Sequence, residues 1–325
     1  MSMKLSIVIP LYNVEKYVEK CILSVIDSPL PKDDYEIIVI NDGSTDSGPQ
    51  IVEDIAKKHS NLILINIEHV GLTAARNVAF DRVRGEYVYC LDSDDYLDGT
   101  ALGIALAYAI EKNLDMMPIR CCTVDEDGNI QPFFEYPEIE NVITGAELLN
   151  KFMVVGAMCL YMYKAELLIN NNLRQIPGIF RGDEEFSTKC LAYTNRLSYR
   201  RHPVVYYYLQ RPDSIINRRD IQHRKKFHTS LITVIDSISD IIRQKSSDTY
   251  LVKGLERKKQ QLLLSIFYQM YKEKINKDIF SEILELLKEK KYYPLNLSRL
   301  TYKQRVTGYL LRYKLFLYFL YPCLR

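Results

Sequence analysis

The sequence predicts an α/β protein with a helical C-terminal extension. Three observations predict it. Short β-branched runs alternate with amphipathic stretches through residues 4–91. The links between them are short and end in Pro, Gly, Asn or Asp. After residue 217 the pattern changes to long helical periodicities rich in Lys and Arg. Of the 325 residues, 47% are apolar and 26% charged, ordinary for a globular protein, and the net charge of +2 argues against a nucleic-acid binder. The seven cysteines have no metal-ligand spacing and Cys121-Cys122 are adjacent, which points to structural thiols in a reducing compartment. The chain reaches a strand within five residues, so no signal peptide is expected.

Lys4 to Pro10 reads as a buried parallel strand closed by Pro10. Asn13 is placed to cap a helix with the apolar stripe Val14, Tyr17, Val18, Cys21, Ile22, Val25. Glu36 to Ile40 is a second strand running into the polar turn Asn41-Asp-Gly-Ser-Thr-Asp46, and Ile51, Val52 and Ile55 mark the next helix. Leu62 to Ile67 is a strand, Gly71 to Val83 a helix and Tyr87 to Leu91 a central strand, giving a parallel, Rossmann-like sheet.

Thr100 to Lys112 is expected to be helical. Pro118 to Val124 and Ile130 to Tyr136 flank a hairpin-type loop, 125–129. Thr144 and Glu147 form a capping-box pattern opening a helix to about Phe152. Met158 to Tyr163 and Lys164 to Leu168 read as strand and helix. A second acidic cluster, Arg181-Gly-Asp-Glu-Glu-Phe186, leads into a helix, and Val204 to Leu209 is strand-like. Three helices are expected near 221–245, 250–275 and 278–291. The segment from about 303 to 325 is apolar and tyrosine-rich but interrupted by Arg312 and Lys314, which suits a helix in a membrane interface better than a span.

The chemistry starts at Leu91-Asp-Ser-Asp-Asp95, where an apolar strand ends in three carboxylates. Such a cluster is costly to desolvate unless a cation offsets it, and oxygen ligands suit Mg²⁺ or Mn²⁺. Its place at a strand's carboxyl end suggests a phosphate-bearing ligand. The bland alternative is a solvated acidic turn.

Four motifs lie in fixed order: Val8-Ile-Pro-Leu-Tyr-Asn13, Asn41-Asp-Gly-Ser-Thr-Asp46, Gly71-Leu-Thr-Ala-Ala-Arg-Asn77 and Leu91-Asp-Ser-Asp-Asp95. Together they resemble the family 2 glycosyltransferases, inverting enzymes of the GT-A fold, a Rossmann-like mixed-sheet architecture for nucleotide-diphospho-sugars. The resemblance covers roughly residues 4–215, and the region from Pro177 to Ser214 resembles members that build capsule, O-antigen and exopolysaccharide.

The resemblance implies a donor pocket at Pro10, Tyr12 and Asp42, with Glu15 toward the ribose and Arg76 near the diphosphate. It implies that Asp94 coordinates Mn²⁺ or Mg²⁺ and that Asp92 contacts ribose or metal-bound water. The second cluster implies a catalytic base, Asp183 by register on Phe186, with Glu184 the alternative because Gly182 stands where the family usually has Glu. Arg211 and Ser214 match a late motif near phosphates or acceptor. His59, His69, His202, His223 and His228 show no ligand spacing; none is expected to be catalytic, although His202 or His69 could line the site.

The implied function is transfer from a nucleotide sugar, in the first place a UDP-sugar, to a lipid-linked saccharide in surface polysaccharide synthesis. The implied setting is the inner face of the plasma membrane, with a catalytic domain 1–217 and a basic helical region 218–325. The rival readings are nucleotidyl transfer, which the Pro10-Leu-Tyr-Asn loop disfavours, and a catalytically inactive scaffold in a membrane assembly complex.

Overall fold

The computed structural model describes residues 3–211, 220–306, 308 and 309. Its elements are β1 (Leu5–Leu11), α1 (Glu15–Ile26), β2 (Tyr35–Asp42), α2 (Gly48–Ala56), β3 (Leu62–Ile67), α3 (Leu72–Phe80), β4 (Tyr87–Cys90), β5 (Tyr96–Leu97) and α4 (Gly99–Glu111). There follow β6 (Met116–Pro118), β7 (Cys121–Val124), β8 (Ile130–Pro132), β9 (Ile139–Ile143), α5 (Gly145–Lys151), β10 (Tyr161–Lys164), α6 (Ala165–Asn170), α7 (Gly182–Tyr193), β11 (Leu197–Tyr199) and β12 (Tyr206–Leu209). The last helices are α8 (Ile221–Gln244), α9 (Thr249–Lys272) and α10 (Lys277–Glu289). The chain divides into two compact units, one of 1–145 with 155–217, the other of 146–154 with 218–325.

In the first unit an eight-stranded sheet runs in the order β3-β2-β1-β4-β10-β6-β11-β9, and a smaller sheet in the order β5-β12-β7-β8. β1 is parallel to β2 and to β4, and β2 to β3, as the alternation of the first 91 residues requires. β10 enters antiparallel against β4 and β6, which makes the sheet mixed. Every residue of β1, β2 and β4 is buried, so those strands read as continuous apolar runs rather than alternations.

Pro10 does not close its strand; β1 continues to Leu11. Leu91 N–H donates to Val8 O at 3.0 Å, so Val8 and, two residues on, Pro10 face β4, which has ended by that point. The proline's missing N–H therefore forfeits no ladder bond. Nor does Asn13 cap α1. It sits at φ 51°, the N-cap residue is Val14, and Asn13 Oδ1 accepts Thr45 N–H at 2.8 Å, bracing two loops. The expected strand Pro118 to Val124 is split between sheets, β6 in the large one and β7 in the small one. Beyond the hairpin loop only Ile130–Pro132 is strand, an exposed edge.

Buried Glu36 anchors the amino end of the sheet. Its carboxylate accepts Ser6 Oγ–H at 2.6 Å and the Arg84 N–H and Nε–H at 2.8 Å each, and Gly85 N–H donates to Ser6 Oγ at 2.9 Å. A Cβ on Gly85 would lie 2.4 Å from Ser6 N, so only glycine fits.

In the second unit, α8, α9 and α10 are capped by Asp220, Asp248 and Asn276, which accept the N–H groups of His223, Leu251 and Asp278. Glu273 pairs with Arg224 at 2.7 Å and with fully buried His228 at 3.2 Å. No helix among the described residues is long and apolar enough to cross a membrane. Most of the segment expected at the membrane interface, 303–325, lies outside the described residues.

Replacing Gly85 with Ala is expected to cost about 2–3 kcal/mol of folding free energy by urea titration. Gly103→Ala, inside α4 with its new methyl 3.4 Å from the Leu30 side chain, is expected to be neutral or to gain up to about 1 kcal/mol.

Candidate functional site

The strand order places the switch point of the sheet between β1 and β4: the chain proceeds from β1 to β2 and β3 on one side, then returns to pair β4 on the other. In open α/β sheets ligands bind outside the carboxyl ends of strands at that point. Here those ends carry Tyr12 and the run Asp92 to Asp95.

α3 clamps the site. Thr73, Arg76 and Asn77 fall at i, i+3 and i+4, on one face of the helix. Thr73 Oγ1 accepts Gly178 N–H at 3.1 Å, and Asn77 both accepts Gln175 N–H and donates to Gln175 O at 2.9 Å. Arg76, fully buried, donates from Nη2 to Asp92 Oδ1 at 2.5 Å and from Nη1 to Asp183 Oδ1 at 2.7 Å. Burial opposes its charge, but Asp183 and Asp92 more than offset that and hold it protonated. One helix face thereby fixes the loop before α7 and ties the two acidic clusters together. The expectation that Arg76 faces a diphosphate meets a different arrangement: the guanidinium is a strut between carboxylates and has no exposed surface.

The carboxylates have different surroundings. Asp92 is about a third exposed; burial of the carboxyl raises its pKa, Arg76 opposes that, and Asp183 and Asp94 push it further up. Asp94 is paired with Arg211, whose guanidinium also lies 4.7 Å from the centre of the Tyr17 ring. Asp95 is buried, accepts Tyr206 O–H and, at 2.8 Å, Leu209 N–H, and is pushed up to about 8 by burial and by its acidic neighbours. Asp95 thus attaches the acidic loop to β12.

Asp183 and Glu184 are now distinguishable. Asp183 is 34% exposed, and its Oδ1 takes both Arg76 and, at 3.5 Å, Gln175 Nε2. Its Oδ2 has no partner among the described residues. Glu184 is 6% exposed, and a Cβ on Gly156 would lie 2.4 Å from its Cα. Gly182 also has a physical reason: a Cβ there would lie 2.5 Å from Thr73 Cγ2, so any larger residue would press α7 away from α3.

The loops after β1 and β2 brace each other. Glu15 N–H donates to Asp46 Oδ2 at 2.8 Å and Glu15 Oε2 accepts Ser47 N–H at 2.9 Å, which holds the Glu15 carboxyl below its ordinary range. Glu15 is therefore engaged between loops. Asp42, 3% exposed, accepts Val70 N–H at 2.7 Å and Gly71 N–H at 2.9 Å. Pro10 is buried below, and Tyr12, 47% exposed, stacks on His69 with centroids 4.4 Å apart. His202 is buried, with Nδ1 2.7 Å from Pro203 O. Ser214 lies outside the described residues.

Sequence reasoning missed Thr73, Asn77, Gln175 and Tyr206. The i, i+3, i+4 spacing of polar residues in an alanine-rich helix was the available signal for the first two; Gln175 and Tyr206 had none.

The donor set fits a hard divalent cation in chemistry. Asp92, Asp94 and Asp183 face two guanidiniums, and the ligands are oxygens. No three His, Cys, Asp or Glu side chains among the described residues converge on one cation position, so a bound ion would need further oxygens from its ligand.

Residues 6–166 match the family model described as Glycosyl transferase family 2. The chain is similar to the poly(ribitol-phosphate) beta-N-acetylglucosaminyltransferase TarS of Staphylococcus aureus, 26% identical over 264 residues, 78% of this chain and 44% of that protein. It thus spans less than half the length of that relative. Among solved structures, S. aureus TarS 1–349 in complex with UDP-GlcNAc superimposes with a TM-score of 0.68 at 20% identity, covering 96% of this chain and 92% of that one. The mannosyltransferase PcManGT from Pyrobaculum calidifontis, in complex with GDP-Man and Mn²⁺, gives 0.52 at 14% identity, covering 95% and 87%. The fold is the GT-A architecture that the four motifs imply.

Gly182→Ala is expected to lower stability by about 1–3 kcal/mol, and Thr73→Ser, which removes the methyl in its way and keeps the hydroxyl, to restore most of that in the double variant. Denaturant unfolding of the four proteins checks it; equal effects of Gly182→Ala in both backgrounds would refute the contact.

Proposed function

We propose that this chain, which carries a family 2 glycosyltransferase domain, moves a sugar from a nucleoside diphosphate, UDP in the first place, to a saccharide hydroxyl with inversion. The observation that carries the reading is the Arg76 bridge, which joins the acidic run at the end of β4 to Asp183 at the start of α7. It sets a donor position and an available carboxylate oxygen side by side at the switch point of the sheet.

The donor's sugar diphosphate lies over Asp92 and Asp94, and its base over Tyr12. The acceptor hydroxyl approaches Asp183. Oδ2 of Asp183 takes the hydroxyl proton as the acceptor oxygen bonds to the anomeric carbon. The bond from that carbon to the diphosphate oxygen breaks with its electron pair leaving on the diphosphate. Arg76 holds Oδ1 and so fixes which oxygen of Asp183 faces the reaction. Mn²⁺ or Mg²⁺ held by Asp94 and Asp92 would supply charge neutralisation for the departing diphosphate. Arg211, a cation beside Asp94, stands ready to contact phosphate, with Ser214 beyond it. Glu184, buried against Gly156, is the less suited base.

The acceptor we infer is a lipid-linked saccharide of surface polysaccharide synthesis, met at the inner face of the plasma membrane. Residues 218–325 hold 23 Lys and Arg against 10 Asp and Glu, a formal charge of +13, whereas 1–217 hold 20 against 31. A helical region so charged favours an anionic surface or polymer. The poly(ribitol-phosphate) named for the relative is itself a polyanion.

With Mn²⁺, UDP near 100 times its Kd is expected to raise the melting temperature by roughly 5–10 °C, and Asp94→Ala to abolish the shift. Asp183→Asn should keep the shift yet lower transfer by about 10²–10⁴-fold. No response to any of UDP, dTDP, GDP or CDP would favour the inactive-scaffold reading instead.

A further inference from the structure

We propose that His69, rather than Asp42, reads the hydrogen-bonding edge of the donor's pyrimidine base, and that it selects a uracil or thymine imide over cytosine. The inference rests on the nucleoside-diphosphate reading above. It starts from the lip at the carboxyl ends of β1 and β3. Tyr12, Val70 and Leu72 are 47–49% exposed there, a landing for a flat heterocycle beside the switch point.

Asp42 is not available to such a ligand. Its side chain is 3% exposed, and its two oxygens accept the N–H groups of Val70 and Gly71. These bonds shape the loop, with Gly71 at φ 91°. His69 lies between this loop and the solvent. A Cβ on Gly43 would meet His69 N at 3.1 Å and His69 Cβ at 3.2 Å, so the histidine backbone is held closely from below. Its ring stacks on Tyr12 at 24° between planes and is 55% exposed.

The tautomer follows from the partners. His69 Nδ1 is 3.0 Å from Asp42 O and 3.0 Å from Asp42 Oδ2, both acceptors, so Nδ1 carries the proton. In the neutral ring Nε2 is then an acceptor, and it has no partner among the described residues. An acceptor at that place pairs with the N3–H of uracil or thymine. Against cytosine, whose N3 is itself an acceptor, two lone pairs would face each other. A polar group built to receive one hydrogen bond rejects the analogue that lacks it.

Calorimetric titration of the intact protein with UDP, CDP and N3-methyl-UDP, each with Mn²⁺, tests this. The wild type is expected to prefer UDP over both others by at least about tenfold. His69→Phe keeps a ring against Tyr12 and removes the acceptor. It should bind UDP about tenfold more weakly and bring the UDP-to-CDP ratio close to one. A wild type indifferent to N3 methylation, or a His69→Phe variant with its UDP preference intact, would overturn the inference while leaving the donor reading in place. A wild type that binds none of the three would overturn both.

Discussion

A fully buried arginine shared by two acidic clusters is the constraint on which the site depends. Arg76 has no water to solvate it, so its charge is tolerable only while Asp92 and Asp183 stay in contact. Those residues are 91 positions apart in sequence and lie on different elements. Removing either partner, or moving α3 by an ångström, would leave an uncompensated charge in the protein interior. The ion triad therefore acts as a registration device among α3, the end of β4 and the start of α7.

Much of the surrounding structure serves that registration. Thr73 and Asn77 repeat the attachment of α3 to the 175–178 loop with neutral hydrogen bonds. Gly182 lets α7 approach Thr73, and Phe80 stacks on Phe186 at 5.4 Å between the same helices. On the other side, Asp95 fastens the acidic loop to β12 through Tyr206 and Leu209. The consequence for function is asymmetry between similar acids. Asp95 and Glu184 are buried and structural, while Asp92, Asp94 and Asp183 keep exposed oxygen at the mouth of the switch point.

The parallel order of the first four strands was legible because apolar runs and their punctuation report burial and turns directly. The motifs were legible as a set, since each falls at a strand end or helix start. Their internal wiring was not. Asp42 and Glu15 looked like ligand contacts, yet both are engaged by backbone N–H groups of neighbouring loops, which depends on loop packing that no periodicity encodes. Asn13 carried a capping signature but adopts a positive φ and bonds across to Thr45. The apparent irregularity at Gly182 could be understood only once Thr73 was seen against it. The partition of residues 116–124 between two sheets is likewise a tertiary outcome, because short apolar strands suit either sheet.

The central claim is that Arg76 acts on the reaction through Asp183. A double-mutant cycle in the transfer rate tests it most directly, using Arg76→Met and Asp183→Asn singly and together with donor saturating. The account predicts strong non-additivity: with Arg76 gone, Asp183→Asn should cost at least about tenfold less than it does in the wild type. Losses that simply multiply would contradict it and would leave Arg76 as a structural ion pair unconnected to the base.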